Sequence, residues 1–192
     1  MSLVPTVLLT ALWACLFGYW GLASTRTENT EHGQSPRSLS RLIHLAMFVA
    51  AFALTLTEFF RIGPLGERFL PESALFTWAG LALTALSIGF AIWARYHLGR
   101  FWSGVVTIKT GHQLIRSGPY AVARHPIYTG FACGMLGTAI AIGEWRGLLA
   151  FLLVFIAYLR KIPMEESLLL KQFGAEYERY RREVKALIPF LL

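Results

Sequence analysis

Long apolar stretches separated by short polar segments constrain this chain more than any other feature of its sequence. Five such stretches run approximately over residues 4–23, 42–60, 74–94, 127–143 and 147–162. Each is close to the roughly 17 to 25 residues that a helix needs to cross a hydrocarbon core about 30 Å thick. The pattern predicts an all-α integral membrane protein with five transmembrane helices.

The composition excludes an ordinary soluble domain. Hydrophobic residues make up 55% of the chain and charged residues 15%, whereas soluble domains carry about 25% charged residues. The net charge of +7 does not indicate nucleic-acid binding, because the basic residues lie between apolar stretches. Cys15 and Cys133 both fall within apolar stretches, so we expect no disulfide framework. The first stretch has no Lys or Arg before it and is predicted to be a retained span.

The basic residues predict the orientation of the chain in the membrane. Of the 18 Lys and Arg residues, only Arg61, Arg68 and Arg146 lie in the segments after the second and fourth stretches. All others lie in the three segments on the opposite side. By the positive-inside rule, the N-terminus is predicted to lie outside and the C-terminus in the cytoplasm. We favour a bacterial inner membrane over the endoplasmic reticulum.

The fourth and fifth stretches are separated only by "GEWRG", residues 143–147, and are predicted to form a tight hairpin. The hairpin would bring "GHQLIRSGPYAVARHPIY", residues 111–128, close to "RKIPMEES", residues 160–167, at the cytoplasmic interface. The first segment is rich in cations and hydrogen-bonding rings, and the second supplies paired carboxylates. This combination suits a zwitterionic or charged ligand.

Other features have structural interpretations. Gly130, Gly134 and Gly137 share one helix face, and we expect that face to pack against the fifth span. His44 is expected to be an interfacial group at the end of the second span. Residues 95–120 are predicted to form a cytoplasmic interfacial loop with short extended pieces.

The sequence after Pro163 predicts a C-terminal amphipathic helix. Its apolar and aromatic residues repeat at helical spacing, and they form the stripe Leu169, Phe173, Tyr177, Tyr180 and Val184. No CxxC or HExxH motif occurs in the chain, so no metal site is expected.

Taken together, these motifs closely resemble the isoprenylcysteine carboxyl methyltransferase family and its wider group of membrane methyltransferases, which includes phospholipid methyltransferases. The motifs are "GHQLIRSGPYAVARHPIYTGF", the tight hairpin, and "EES" followed by "FGAEYERYRREV". The resemblance covers about half of the chain, from approximately Leu98 to the C-terminus. The apolar stretches place three transmembrane helices in residues 1–94, and the resemblance implies a catalytic region over residues 95–192, with the helical hairpin at 127–162.

The resemblance implies an S-adenosylmethionine (SAM) site and assigns residues to it. The implied cofactor-binding residues are His112, Gln113, Leu114, Ile115, Tyr120, His125, Pro126, Ile127, Tyr128 and Glu165. Lys161 would contact the substrate, and Arg124 and Glu166 are the candidate catalytic residues. Glu165 would pair with the SAM ammonium group, and methyl transfer by in-line displacement depends mainly on positioning. Neither a covalent nucleophile nor a metal is required.

The sequence does not identify the group that accepts the methyl. We expect a small lipophilic or lipid-like acceptor that enters from the bilayer, with membrane lipids as surroundings and no nucleic-acid partner. A carboxylate acceptor would need only orientation, whereas an amine or thiol acceptor, as in a phospholipid amine or thiol methyltransferase, would need a base such as Glu166 or His125. One alternative is an NADPH-dependent, sterol-reductase-like membrane enzyme, since that branch shares an "RHP-Y" segment. Another is a non-catalytic membrane scaffold.

Overall fold

The structure, a computed structural model, describes residues 3–24, 30–33, 39–102, 107–109 and 113–187. Its helices are α1 (Leu3–Ser24), α2 (Leu39–Leu56), α3 (Ala74–Leu98), α4 (Pro126–Ile142), α5 (Trp145–Phe173) and α6 (Ala175–Glu183). Two short strands, β1 (Thr30–Gly33) and β2 (Thr107–Lys109), pair in antiparallel fashion. The predicted His112 and the predicted extended residues Val105 and Val106 lie outside the described residues.

Among the residues that the structure describes, four helices are long and apolar enough to cross a membrane by length and composition. They are α1, α2, α3 together with the turn that follows it to Phe101, and α5. Helix α4 is also apolar but has 17 residues. The protein is therefore a helical, multi-pass membrane protein. The number of crossings predicted from the sequence was five, and α4 is the helix on which that number depends.

Helices α3 and α4 are in close contact because small residues face each other. A Cβ atom added at Gly137 would lie 2.7 Å from the Gly80 carbonyl oxygen, and one added at Gly130 would lie 2.7 Å from Cβ of Ala91. The predicted partner of this glycine face was the fifth span, and that prediction is wrong: the face packs against α3. Helix α5 instead approaches α4 at Gly147, which lies against Ala139.

A buried hydrogen-bonded group joins three helices. The Trp13 indole of α1 donates to the Thr138 hydroxyl of α4 at 3.0 Å, and the hydroxyls of Thr138 and Thr84 on α3 lie 3.4 Å apart. The Thr138 hydroxyl donates to the Gly134 carbonyl of its own helix at 2.9 Å. The Thr84 hydroxyl lies within hydrogen-bond distance of two carbonyls, Gly80 of α3 at 2.9 Å and Gly134 of α4 at 3.2 Å. These bonds satisfy polar groups that would be costly to bury alone.

The C-terminal part differs from the prediction. Helix α5 continues through Pro163 to Phe173, so the second arm of the hairpin does not end at residue 162. The chain then breaks at Gly174, which has a φ of 52°, and α6 begins at the next residue. The prediction of one continuous amphipathic helix after Pro163 is therefore wrong. A left-handed φ favours glycine, and this break turns α6 back towards the start of α4.

Candidate functional site

A cavity of about 720 Å³ lies where α1, α2, α4, α5 and α6 meet the segment 113–128. Its polar end is lined by Gln113, Leu114, Ile115, Tyr120, Arg124, His125, Tyr128, Lys161 and Glu165. Its apolar part is lined mainly by α1 and α2, with Phe17, Trp20, Phe48, Phe52 and Leu56 among the side chains. Ligand pockets usually have volumes of about 300 to 1,000 Å³. This cavity has the size of a ligand site.

Glu165 is the carboxylate at the polar end of the cavity. It accepts a hydrogen bond from the Tyr128 hydroxyl. Its other oxygen lies 3.5 Å from Nδ1 of His125, and Nζ of Lys161 lies 3.5 Å from the carboxylate. Glu165 is thus held between a phenol, an imidazole and an ammonium group, and it lines the space where a ligand would lie.

Glu166 faces the C-terminal segment instead. Arg124 donates from Nε and Nη2 to Oε1 of Glu166, at 2.9 and 2.6 Å. Nε2 of His125 lies 3.2 Å from the same oxygen, and Nε of Arg181 on α6 lies 3.3 Å from the other. Arg124 also donates from Nη1 to the backbone carbonyls of Arg181 and Val184. The pair of Arg124 and Glu166 therefore holds α6 and the residues that follow it over the site.

The backbone strengthens the same attachment. The amides of Arg124 and His125 donate to the carbonyls of Lys185 and Ala186, at 2.8 and 2.9 Å. The Thr129 hydroxyl donates to the Leu187 carbonyl at 2.7 Å. The segment 185–187 therefore runs beside the start of α4 and covers it.

His125 lies between the two glutamates and is 7% exposed. Burial lowers the pKa of His125, but the hydrogen bonds and negative charges of Glu165 and Glu166 raise it by more, so the net pKa is above its usual value. A protonated ring can donate to both carboxylates. His125 therefore links the cavity carboxylate to the carboxylate that holds α6.

Aromatic rings continue from His125 into the apolar part of the cavity. The rings of His125 and Tyr128 are parallel within 6°, with centroids 5.4 Å apart, and those of Tyr128 and Tyr158 are 4.1 Å apart. The Tyr158 ring then contacts His44 and Phe48 of α2, with centroid distances of 5.8 and 5.4 Å. This row of rings joins the charged end to the apolar wall.

Tyr120 reaches the site through a short 3-10 turn, Gly118–Ala121. Gly118 has a φ of 58°, and a Cβ atom there would lie 2.9 Å from the His97 ring. Glycine is thus required by both the backbone and the neighbouring ring. The Tyr120 carbonyl accepts from the Tyr180 hydroxyl of α6 at 2.5 Å. Burial, followed by the charge of Glu165, raises the pKa of Tyr120, so its hydroxyl stays neutral.

The structure brings nearly all of the predicted site residues together. Eleven of them line the cavity: Gln113, Leu114, Ile115, Tyr120, Arg124, His125, Pro126, Ile127, Tyr128, Lys161 and Glu165. Glu166 does not line the cavity but contacts Arg124 and His125. His112 lies outside the described residues.

Two cavity residues, Tyr158 and His44, and one residue beside the cavity, Arg181, were not identified from the sequence. Tyr158 could have been found, because it precedes Lys161 by three residues and Glu165 by seven and so shares their helix face. His44 was interpreted as an interfacial group, whereas it lines the cavity. Arg181 gave no local signal, because its contact with Glu166 depends on the break at Gly174.

These features define a multi-pass membrane protein with a ligand site in which charged groups adjoin an aromatic, apolar wall. The model of the phospholipid methyltransferase family matches residues 75–176, which include α4, α5 and all but the first residue of α3. The chain therefore belongs to this family, and it is a methyltransferase.

Named relatives agree with this assignment. The probable protein-S-isoprenylcysteine O-methyltransferase of Oryza sativa subsp. indica is 29% identical over 163 residues, covering 83% of this chain and 85% of the relative. The protein-S-isoprenylcysteine O-methyltransferase of Schizosaccharomyces pombe is 37% identical over 101 residues, covering 51% of this chain and 43% of the relative. That of Rattus norvegicus is 29% identical over 167 residues, covering 82% and 57%.

The comparisons confirm the resemblance seen in the sequence. The interpretation as a membrane methyltransferase is supported over the NADPH-dependent reductase, since the matched family and the named relatives are methyltransferases.

Proposed function

We propose that this protein transfers a methyl group from SAM to the carboxylate of a lipophilic acceptor. The observation that carries the proposal is a single cavity with Glu165 and Lys161 at one end and the apolar side chains of α1 and α2 at the other. A polar cofactor and an apolar acceptor can meet in such a space. The relatives named as isoprenylcysteine O-methyltransferases support this acceptor class.

The residues of the polar end fit the chemical groups of SAM. The Glu165 carboxylate suits an ammonium group, because charge-assisted hydrogen bonds are strong in buried sites. Tyr120 and Tyr128 provide ring faces for adenosine, and the segment 113–115 adds apolar side chains and backbone donors. Bound SAM would supply an electrophilic methyl group on its sulfonium. The residues themselves bind, orient and exclude water.

The acceptor end favours an anion with an apolar tail. Lys161 lies at the polar end of the cavity, and Arg41, one turn before His44 on α2, also lines it. These two cations carry the charge that a carboxylate requires. A carboxylate is already nucleophilic at neutral pH and needs positioning rather than a base. The proposed task of Lys161 is therefore to hold the acceptor carboxylate in line with the methyl group.

In this proposal Arg124 and Glu166, predicted as catalytic, act mainly as a positioning pair. Glu166 accepts from Arg124 twice, and Arg124 also binds two carbonyls of the C-terminal segment. These contacts leave Arg124 few donors for a substrate. The pair fixes His125 and keeps α6 over the cofactor end.

We also propose the membrane arrangement. Helix α4 would be the fifth crossing, since 17 residues span about 26 Å. The N-terminus would lie outside and the site on the cytoplasmic side, as the distribution of basic residues indicates. The acceptor would enter from the bilayer, because Phe17, Val49 and Leu56 line the cavity and are also 45%, 60% and 52% exposed. Residues 95–192 would then form the catalytic region, with residues 1–94 supplying the acceptor wall.

A phospholipid amine is the second candidate acceptor, because the matched family is described as phospholipid methyltransferase. An amine carries positive charge at neutral pH, and Lys161 and Arg41 would repel it at the end of the cavity where methyl transfer would occur. The carboxylate is therefore preferred.

The test uses purified protein, SAM with a tritiated methyl group, and two acceptors in parallel. N-acetyl-S-farnesylcysteine offers a carboxylate, and phosphatidylethanolamine offers an amine. We expect label in the cysteine compound that is released as methanol by alkali, as a methyl ester requires. Alkali-stable label in the phospholipid would overturn the carboxylate and establish the amine.

Lys161→Met is the informative variant for the acceptor. We expect its KM for the cysteine compound to rise about tenfold or more, as for loss of a charge-assisted contact, with binding of S-adenosylhomocysteine retained. Lys171→Met serves as the matched control, because Lys171 lies on α5 but does not line the cavity.

A further inference from the structure

The end of the molecule farthest from Glu165 contains a buried ionic cluster. Glu144 and Arg146, on either side of the first residue of α5, are 3% and 4% exposed. Nε of Arg146 donates to Glu144 at 2.7 Å, and Nε of Arg61 lies 3.1 Å from the other Glu144 oxygen. We call Glu144, Arg146 and Arg61 the outer clasp. None of them lines the cavity.

The outer clasp binds the end of α2. Nη1 of Arg146 donates to the carbonyls of Leu54 and Thr57, at 3.2 and 2.6 Å. Carbonyls at a helix C-terminus lack partners within the helix, and a cation there also faces the negative end of the helix dipole. Arg146 therefore caps α2 from α5 and fixes the separation of the two helices at this end.

The same turn of α2 forms the far wall of the cavity. Phe52 and Leu56 line the cavity, while Leu54 between them is buried. From His44, near the charged end, to Leu56 the helix rises about 18 Å. An extended chain covers about 1.2 Å per bond, so a tail of about a dozen bonds reaches Phe52. A tail of four bonds does not.

A buried ion pair is a poor means of increasing stability, because desolvation of the charges offsets their attraction. Such pairs can instead specify one arrangement of the helices that they join. Here the outer clasp specifies how the end of α2 lies against α5, and the end of α2 forms the far wall of the cavity.

We propose that Arg146 is a positioning residue for the acceptor tail. With Glu144 it holds the last turn of α2 in place, and this sets the affinity for acceptors long enough to reach Phe52, which lies one turn before the end of α2. Short acceptors occupy only the charged end and do not depend on Arg146. This inference rests on the proposed function, because it takes the apolar part of the cavity as the site of the acceptor tail.

The test is isothermal titration of protein saturated with S-adenosylhomocysteine, using N-acetylcysteine derivatives with five-carbon and fifteen-carbon S-isoprenyl tails. In the wild type the longer tail should bind more tightly. In Arg146→Gln the Kd of the fifteen-carbon compound should rise about five- to tenfold, as for lost contact with one or two methylene groups. The Kd of the five-carbon compound should stay within about twofold.

Three comparisons distinguish a specific effect on the acceptor tail from a general loss of structure in Arg146→Gln. Arg146→Lys keeps the charge and should restore part of the preference for the long tail. Glu67→Gln removes an exposed charge from the neighbouring loop and should leave both Kd values unchanged. The Kd of S-adenosylhomocysteine should be the same in all four proteins.

Several outcomes would overturn the inference. These are an equal loss for both tails in Arg146→Gln, no loss for either, or a wild type that binds neither compound or both equally. Length-dependent binding without methyl ester formation would instead refute the proposed function and leave the inference standing.

Discussion

At the residue scale, two adjacent glutamates perform different tasks because successive residues of a helix point about 100° apart. Glu165 lines the cavity and Glu166 contacts Arg124 and Arg181. His125 contacts both carboxylates and couples them. The "EES" motif therefore contributes one carboxylate to the cavity and one to the contacts that hold α6.

The coupling by His125 predicts a dependence of stability on pH. Its folded-state pKa is raised above the unfolded value of about 6.5, because the charges and hydrogen bonds of the two carboxylates exceed the effect of burial. The stabilisation is therefore complete below about pH 6.5 and is lost as the pH rises through the folded pKa. We expect the difference in thermal midpoint between wild type and His125→Gln, measured in detergent by tryptophan fluorescence, to shrink from pH 6 to pH 9. A difference that stays constant or grows would contradict this.

At the element scale, the break between α5 and α6 determines the shape of the polar end of the cavity. Gly174 has a φ of 52° and a ψ of −126°, and nothing lies within 4 Å of a Cβ atom added there. The requirement for glycine is thus one of backbone conformation rather than space. Without this break, a continuous helix would carry Tyr177 and Tyr180 away from the cavity that they line.

Gly174→Ala should therefore weaken both folding and cofactor binding. A residue with a Cβ is strained by about 1 to 3 kcal/mol in so sparsely populated a backbone conformation, and relief of that strain would straighten the chain into a continuous helix. We expect a lower thermal midpoint and weaker binding of S-adenosylhomocysteine. Gly89→Ala is the matched control, because Gly89 is helical with open space around it. It should be neutral or stabilising by about 0.5 to 1 kcal/mol. Equal behaviour of the two variants would refute the explanation.

The sequence predicted some element boundaries well and others poorly. Hydropathy located α1, α3 and α4 closely, because apolar runs and turn residues coincide there. It extended the second span to residue 60, whereas α2 ends at Leu56, where Arg146 binds its final carbonyls. It also ended the fifth span at residue 162, because Pro163 usually interrupts a helix. Contacts with other parts of the chain determine where α2 and α5 end, and the local amino-acid composition does not reveal those contacts.

At the scale of the whole molecule, the cavity joins parts of the chain that are far apart in sequence. The charged end could be predicted, because a tight hairpin must bring residues 111–128 beside residues 160–167. The apolar wall could not be assigned from the sequence. The interhelical contacts of α1 and α2 depend on aromatic rings, such as the pair Trp13 and Phe52 with centroids 4.9 Å apart, and a hydropathy pattern does not specify such pairs.

The proposed orientation makes a prediction that labelling can test. After replacement of Cys15 and Cys133 by serine, one protein carries Glu72→Cys and another Arg182→Cys. Both positions are exposed and lie at opposite ends of the helices. In intact cells a membrane-impermeant maleimide should label the first and spare the second, and in inverted vesicles the pattern should reverse. Labelling of both from the same side would contradict an odd number of crossings between residues 72 and 182, and so would contradict α4 as a crossing.

The most direct test of the central claim is isothermal titration of the detergent-purified protein with S-adenosylhomocysteine, beside Glu165→Gln and the control Glu67→Gln. We predict micromolar binding in the wild type and the control. In Glu165→Gln we predict a loss of at least about tenfold, as for removal of a charge-assisted hydrogen bond, and NADPH should not displace the ligand. No binding by folded wild-type protein, or equal binding by Glu165→Gln, would contradict the account.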